Sequence, residues 1–411
     1  MHERSRKVKM NAPRQEIGSF SHVSYEEAMR RCRDLVPVLR ARATEAELSR
    51  QMMKETEADL HRSGILRFGQ PKRYGGMELD FIACFELPAE LARGDASSGW
   101  NLANLGVHHW MLALYDERAQ DEVWGPNPDA LIASGIAFPQ GTGRKVDGGF
   151  IISGYWNFSS GVDVATWNML AVTVRDGDRI IDHRMCLVPT GEYEIVDDWH
   201  VLGMKATGSK SVRVKDLFVP EYRALCMYDI RGGASFPGAK IHSNPTYRIP
   251  LTALGSHCIA GAAVGNAQAA VDLTIEIVKE RSTSYTAMRM RDFQAVQLRV
   301  ANASAKVHAA RLICRNDCLE AQKDASAGRI PSIEEKLCFR RNVAWAVNQC
   351  TEAVDLLHAM AGANGIYDRY PIQRIFRDAH ALGGHIGFSW DAQGSPWGMV
   401  AMGGEFTSLT L

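Results

Sequence analysis

The chain has 411 residues, with 47 Lys+Arg against 47 Asp+Glu, 46% hydrophobic and 23% charged residues. That composition belongs to a globular protein and excludes a disordered, collagen-like or coiled-coil chain. A formal net charge of zero removes the basic excess that nucleic-acid binding depends on, and the length exceeds what one core fills, so two or three domains are expected.

In chain order, residues 1–20 are polar and mixed in charge, and read as a flexible arm with no apolar leader. Residues 21–127 read as a helical domain. Apolar residues at helical spacing predict helices over 25–40, 44–63, 81–93 and 97–115, with Asp95 or Ser97 capping the last. Pro71 and Tyr74-Gly75-Gly76 interrupt the pattern. Residues 128–222 read as a β domain, with strands over 131–136, 150–156, 167–174, 184–188 and 211–217 separated by turn residues such as Asp147-Gly148-Gly149. Strands without intervening helices predict an antiparallel barrel or sandwich. Residues 223–250 form a Gly/Pro-rich crossing, the place for a lid.

From 251 to 411 the sequence predicts a four-helix bundle. Its first helix is rich in small residues that allow close backbone approach, and helices are expected over 292–325, 333–360 and 372–382. The most apolar stretch, 258–278, is interrupted by Asn266, Gln268, Asp272 and Glu276, so no membrane span is expected. Nine cysteines are scattered without metal spacing, which predicts reduced thiols, a cytoplasmic setting and no metal. Cys314 and Cys318, four apart on a helix, are expected in the core. Gly141-Thr142-Gly143-Arg144 lies between strands with no helix after it, so it lacks the means to hold a phosphate. The fold class is thus α+β, mainly α: helices, a central β domain, a helical bundle.

Three motifs sit at the joints of this plan. Pro71-Lys72-Arg73-Tyr74-Gly75-Gly76 resembles the "P-x-x-Y-G-G" turn of the acyl-CoA dehydrogenase superfamily. Leu202-Gly203-Met204-Lys205-Ala206-Thr207-Gly208-Ser209 with the following Val212 to Pro220 is similar to its "LGMRGTGS … FVP" segment. Arg374-Ile375-Phe376-Arg377-Asp378-Ala379 is similar to its "R-x-x-RDA". The resemblance runs from about residue 25 to the end. It implies a flavin at the junction of β domain and bundle, in a homotetramer.

Dehydrogenation would need a carboxylate base shortly after "RDA", but Ile386 stands at that position, leaving only Asp391 nearby. The "R-x-x-F-G" adenine-contact stretch is missing between Arg281 and Gln297. The sequence instead resembles the monooxygenase branch of the fold, the oxygenase components of two-component flavin-dependent hydroxylases such as the 4-hydroxyphenylacetate and secosteroid phenol hydroxylases. Val107-His108-His109-Trp110, Ala133-Ser134-Gly135, Trp156-Asn157-Phe158-Ser159-Ser160-Gly161, His385 and the terminal Ser408-Leu409-Thr410-Leu411 carry that resemblance.

The resemblance implies reduced FMN or FADH2 delivered by a separate NAD(P)H:flavin reductase, O2 as co-substrate, and transfer of oxygen from a C4a-hydroperoxyflavin to a small aromatic, phenolic substrate. No G-x-G-x-x-G follows a strand, in keeping with reductant arriving as flavin. The oxygen adduct must be kept dry and its N5–H hydrogen-bonded. Ser159 or Ser160 fits that second need, with Trp156 and Phe158 as apolar walls. His385 is expected beside the transferred oxygen, a neutral imidazole near pH 7. His108 and Ser134 are expected at the phenol oxygen, with either His108 or His109 packed in the bundle. His183, His200 and His242 read as surface residues, although His242 and Arg248 could meet a substrate carboxylate. The rival readings are an N- or S-oxygenase on the same scaffold, an acyl-CoA dehydrogenase-like flavoenzyme, and a silent flavin-binding bundle.

Overall fold

The computed structural model describes residues 18–233, 235–283, 287–408 and 411. The expected arm therefore lies almost wholly outside the described residues, as do Leu409 and Thr410.

Helix α1 (Tyr25–Ser49) starts at Ser24, whose side chain accepts the Glu27 N–H. It runs straight through the expected break at 41–43, because Arg40-Ala41-Arg42-Ala43 are all strong helix formers. The break falls at Arg50, which takes a left-handed conformation. Helices α2 (Lys54–Ser63) and α3 (Ile82–Leu91) follow. The segment expected as one helix over 97–115 is three pieces: α4 (Ala96–Asn101), a π-helical turn (Leu102–Gly106) and α5 (Val107–Leu112). Asp95 is its cap, accepting the Ser98 N–H. Such π turns shift the facing of side chains along a helix and recur at functional sites. Helix α6 (Glu117–Trp124) closes this region.

Among the described residues eight strands form one sheet: β1 (Ile132–Gly135), β2 (Gly141–Val146), β3 (Gly149–Ser159), β4 (Trp167–Asp176), β5 (Arg179–Pro189), β6 (Glu194–Val196), β7 (Lys210–Pro220) and β8 (Ala224–Cys226). The path is β6-β7-β3-β2-β4-β5-β8, with β1 beside β4. Pairing is antiparallel except that β1 and β2 each run parallel to β4. Strand β2 was not expected, since Gly141-Thr142-Gly143-Arg144 was read as lying between strands and its glycines interrupt a strand pattern. Its glycine has a tertiary cause. A Cβ on Gly141 would stand 2.4 Å from the Trp156 ring, and Cβ atoms on Gly135 and Gly154 would each fall 2.6 Å from the same side chain. Trp156 is fully enclosed and donates Nε1–H to the Ala171 carbonyl at 2.7 Å. One large indole thus explains three glycines.

The bundle comprises α7 (Leu251–Glu280), α8 (Gln294–Ser326), α9 (Ile333–Ala361) and α10 (Pro371–Gly383). A further helix, α11 (Trp390–Ala401), was not expected because its Gly394, Pro396 and Gly398 break any helical pattern. Helix α7 is long and apolar enough to cross a membrane, but most of that stretch is buried inside the protein, and it serves as the central helix of the bundle. Its small residues do what their size allows: Cβ atoms on Gly261 and Gly265 would fall 2.3 and 2.2 Å from the carbonyls of Phe85 and Ala89 on α3. Cys314 and Cys318 are buried between bundle helices.

The two remaining family motifs meet. Asp378 on α10 accepts the Met204 N–H at 2.6 Å, and Arg377 binds the Leu202 carbonyl at 2.7 Å and the Glu47 carboxylate of α1. Gly203 must be glycine because the Arg377 carbonyl would lie 2.4 Å from its Cβ. Sheet, bundle and first helix are clasped at this point. Burial pushes the Asp378 carboxyl up to about 7, against the Met204 hydrogen bond.

Candidate active site

The site grows from Trp100 on α4, a residue that carried no signal in the sequence. Its Nε1–H donates to Ser160 Oγ at 2.9 Å, and its ring meets that of His385 edge-on at 5.8 Å. Trp100 therefore joins two residues 225 positions apart that the sequence could only nominate separately.

Ser160 opens a chain of hydroxyls. Its Oγ lies 2.8 Å from Ser209 Oγ, which lies 2.6 Å from Thr207 Oγ1. Thr207 donates to the Met204 carbonyl at 2.8 Å. Each hydroxyl has one proton. With the Thr207 proton given to Met204, Ser209 must donate to Thr207, and Ser160 must donate to Ser209. Ser160 Oγ therefore has no proton to spare and one lone pair left, so toward a ligand it can only accept. Ser160 keeps 4% of its surface. Ser159 is fully enclosed and accepts Asn168 Nδ2–H at 2.9 Å.

His385 follows α10 at the start of a short turn, where its Nδ1 accepts the Gly387 N–H at 3.1 Å. That bond fixes the neutral tautomer with the proton on Nε2. Burial pulls its pKa down to about 4, so it is uncharged at neutral pH. Phe388 flanks the ring at 5.4 Å. A Cβ on Gly387 would strike Ser256 Oγ of α7 at 2.4 Å, which is why this turn can press against the bundle.

On the far side of the π turn, His108 is 3% exposed, and its Nδ1 lies 2.5 Å from the Ile132 carbonyl of β1. A carbonyl only accepts, so Nδ1 carries the proton and Nε2 is left as an acceptor. Burial lowers this histidine to about 4. Ser134 stands two residues along the same strand and keeps 7% of its surface. His109 is the packed member of the pair, stacked on Trp124 with a 16° interplanar angle and accepting its Nε1–H at 3.1 Å.

Trp100 thus touches both Ser160 and His385, and His108 is bonded to the strand that carries Ser134, with α4, the π turn and α5 running between the two places. Three expectations need correcting. Trp156 is the packing centre of the sheet and presents no surface to a ligand. His242 is buried, bonded to Gln120 at 2.8 Å and tilted against Tyr247, so it is neither a surface residue nor free to meet a carboxylate. His183 is half-buried, 3.3 Å from Thr173 Oγ1. Asp391 lies exposed in the first turn of α11. Phe158 is 69% exposed at a φ of +66°, a conformation costly for a bulky residue. Its ring meets Trp199 edge-on at 6.1 Å and is otherwise uncovered.

An uncovered aromatic face, an acceptor-only hydroxyl and uncharged imidazoles fit a planar ring system with an N–H on its edge, which is what a reduced flavin offers. No carboxylate stands where a dehydrogenase base would be, since that position is Ile386.

Comparison with known proteins agrees. Residues 257–390 match the family described as acyl-CoA dehydrogenase, C-terminal domain. The chain is 35% identical to the flavin-dependent monooxygenase oxygenase subunit HsaA of Mycobacterium tuberculosis, over 85% of this chain and 88% of that protein. It is 34% identical to the oxygenase component of the FADH2-dependent resorcinol hydroxylase of a Rhizobium species, over 90% and 92% of the two chains. The crystal structure of the M. tuberculosis HsaA monooxygenase superposes with a TM-score of 0.89 at 32% identity, over 94% of this chain and 99% of that one. Fold, site and relatives agree that the chain belongs to the oxygenase components of two-component flavin-dependent monooxygenases, built on the acyl-CoA dehydrogenase fold and dependent on reduced flavin and O2.

Proposed function

We propose that this oxygenase hydroxylates a phenol, with the phenol oxygen held by His108 and Ser134. The observation that carries the reading is the His108–Ile132 bond: with Nδ1–H committed to the β1 carbonyl, Nε2 is a fixed acceptor on a ring too buried to be charged. Accepting the phenol O–H raises electron density on the aromatic ring, as electrophilic attack requires. Bound reduced flavin and O2 supply the electrophilic oxygen.

The other side chains serve that chemistry. Ser160 would accept the flavin N–H with its free lone pair, and Ser209 and Thr207 hold its proton in the direction that leaves that lone pair open. His385 would hold its Nε2–H as a donor at the edge of the bound flavin. Trp100 and Phe388 keep water from it. Phe158 supports the flavin ring. Reduced flavin comes from a separate reductase, as the two-component class requires. Assembly as a homotetramer is supported by exposed Leu298, Leu312 and Leu319, spaced by multiples of seven along α8, an unpartnered seam for a second copy.

The test supplies chemically reduced flavin and O2 with a panel of phenols, indoles, amines and thioethers, and measures hydroxylated product against H2O2. Phenols should give product, and His108→Ala should lose phenol binding by about tenfold or more, the worth of one good hydrogen bond to a buried acceptor. Product from amines or thioethers alone, with His108→Ala unimpaired, would establish the N- or S-oxygenase reading instead.

A further inference from the structure

Asp378 is a buried carboxyl with a single bond to make. It is 4% exposed, forms no ion pair among the described residues, and accepts only the Met204 N–H, at 2.6 Å. Burial opposes its ionisation, as do the charges of Asp95 and Glu47, whereas the Met204 N–H and Arg374 favour it. Burying a carboxyl to hold one backbone N–H is costly when a neutral acceptor would serve. The reason lies in the residue that it holds.

Met204 has φ +57° and ψ 29°, the left-handed conformation that side chains disfavour. It opens the short turn Lys205–Thr207, and Gly208 closes that turn in the same conformation at φ +54°. Glycine accepts this geometry freely and methionine does not, so the Met204 end needs an outside hold. Strained backbone persists only where its surroundings enforce it, and it gathers at functional sites. Gly203 lies against α10, where a Cβ would fall 2.4 Å from the Arg377 carbonyl, and Asp378, the next residue of α10, takes the Met204 N–H.

What this hold fixes is a carbonyl. Met204 C=O accepts Thr207 Oγ1–H at 2.8 Å, and that bond sets the direction of every proton in the row Thr207, Ser209, Ser160. With the carbonyl turned away, Thr207 is free to donate to Ser209, Ser209 to Ser160, and Ser160 outward. The hydroxyl facing the flavin would then present a proton where an acceptor is needed. The helix that carries Asp378 ends at Gly383, two residues before His385, whose N–H is held by the Leu382 carbonyl at 3.1 Å. The contacts therefore close into a ring, from Asp378 through Met204 and the hydroxyl row to Trp100, across to His385 and back along α10.

We propose that Asp378 is a positioning residue for the flavin: it holds Met204 in its left-handed conformation and thereby keeps Ser160 an acceptor, in register with His385. The proposal rests on the reading that Ser160 accepts the flavin N–H, and it adds the distant group on which that role depends. Asp378 acts only through Met204.

The experiment measures anaerobic binding to the full chain of reduced FMN or FAD, whichever binds more tightly, beside its reduced 5-deaza analogue, in which CH2 replaces N5–H. The wild type should prefer the natural flavin about tenfold, the worth of one hydrogen bond, and Ser160→Ala should abolish the preference. Asp378→Ala should abolish it too, while Asp378→Asn, which keeps an acceptor, should retain it. Arg377→Met loosens the same clasp by giving up the Leu202 and Glu47 contacts. It should lower the melting temperature and leave the preference in place. Thr207→Val breaks the row beyond Asp378 with the α10 contact intact, and should abolish the preference as Asp378→Ala does. No preference in the wild type removes the acceptor role of Ser160, and the proposal falls with it. A preference that Ser160→Ala abolishes but folded Asp378→Ala or Thr207→Val retains overturns the proposal alone and leaves Ser160 its role. Loss of the preference in Arg377→Met overturns it as well, since any loosening of the clasp would then suffice. Should Asp378→Ala not fold, Thr207→Val decides by itself.

Discussion

Ser160→Ala is the sharpest perturbation of the site. In the folded protein the hydroxyl accepts from Trp100 at 2.9 Å and donates to Ser209 at 2.8 Å. Removing it strips two bonds in a buried place, each worth about 1 kcal/mol net, so stability should fall by about 2 kcal/mol. On the proposed role of Ser160, the same change removes the acceptor for the flavin N–H. One lost hydrogen bond of about 1.4 kcal/mol corresponds to about tenfold in rate, so reduced flavin should lose its oxygen as H2O2 about tenfold faster and product per O2 consumed should drop. Ser159→Ala is the control: it gives up the Asn168 contact at 2.9 Å and should cost about 1 kcal/mol of stability without changing product per O2. The assay is the ratio of hydroxylated product to H2O2 at fixed reduced flavin, with denaturant unfolding alongside. Uncoupling in Ser159→Ala but not in Ser160→Ala would refute the assignment of the proton chain, and unchanged coupling in both would remove this loop from the flavin altogether.

Trp100→Phe keeps an aromatic ring against His385 but deletes the donor to Ser160. Part of the uncoupling of Ser160→Ala is expected, with little change in phenol affinity, read in the same assay. At Asp378, substitution by Asn preserves an acceptor for the Met204 N–H, whereas Ala abolishes it. Because burial holds the carboxyl near 7, Asp378→Asn should be nearly neutral at pH 6, while Asp378→Ala should cost about 2 kcal/mol, measured by thermal melts. The pH dependence of stability has a definite sign. His108 and His385 are lowered by burial from 6.5 to about 4. Their unfolded forms therefore take up protons first, so the stability they permit is complete above about 6.5 and is lost as the pH falls toward 4. For His108 that loss is on the order of 3 kcal/mol. Asp378 acts oppositely, its contribution fading as the pH rises through about 7. Urea midpoints at pH 7, 5.5 and 4.5 for the wild type and for Asp378→Asn check the balance, and a flat profile in Asp378→Asn, where the opposing carboxyl is gone, would contradict the burial of these imidazoles.

The order helices, sheet, bundle was legible because each part has its own local period: apolar residues at helical spacing in α1, α7, α8 and α9, and β-branched runs bounded by turn residues in β3, β4, β5 and β7. The family motifs were legible for a related reason. Gly203, Gly75 and Gly76 stand where a backbone turns or another chain segment presses close, and Asp378 and Arg377 bind the segment that carries Gly203, so their identities survive in the string. The short α6, β6 and β8 were missed for want of length, and strand β2 and helix α11 because their glycines and proline speak against the element locally; in β2 the reason for glycine, the Trp156 indole, comes from a neighbouring strand.

Composition and pattern determined by themselves the three-part order of helices, strands and helices, and the resemblance of its motifs to a known family implied a flavin and nominated His108, Ser134, Ser159, Ser160 and His385. Tertiary structure alone decided which hydrogen bonds each of these makes. A histidine's tautomer is set by the carbonyl or N–H it meets, and a serine's direction of donation by which neighbour takes its proton. Trp100, Ser209 and Ile132 settle those questions from places far along the chain. A hydrogen bond is specified by distance in space, to which separation along the sequence gives no access.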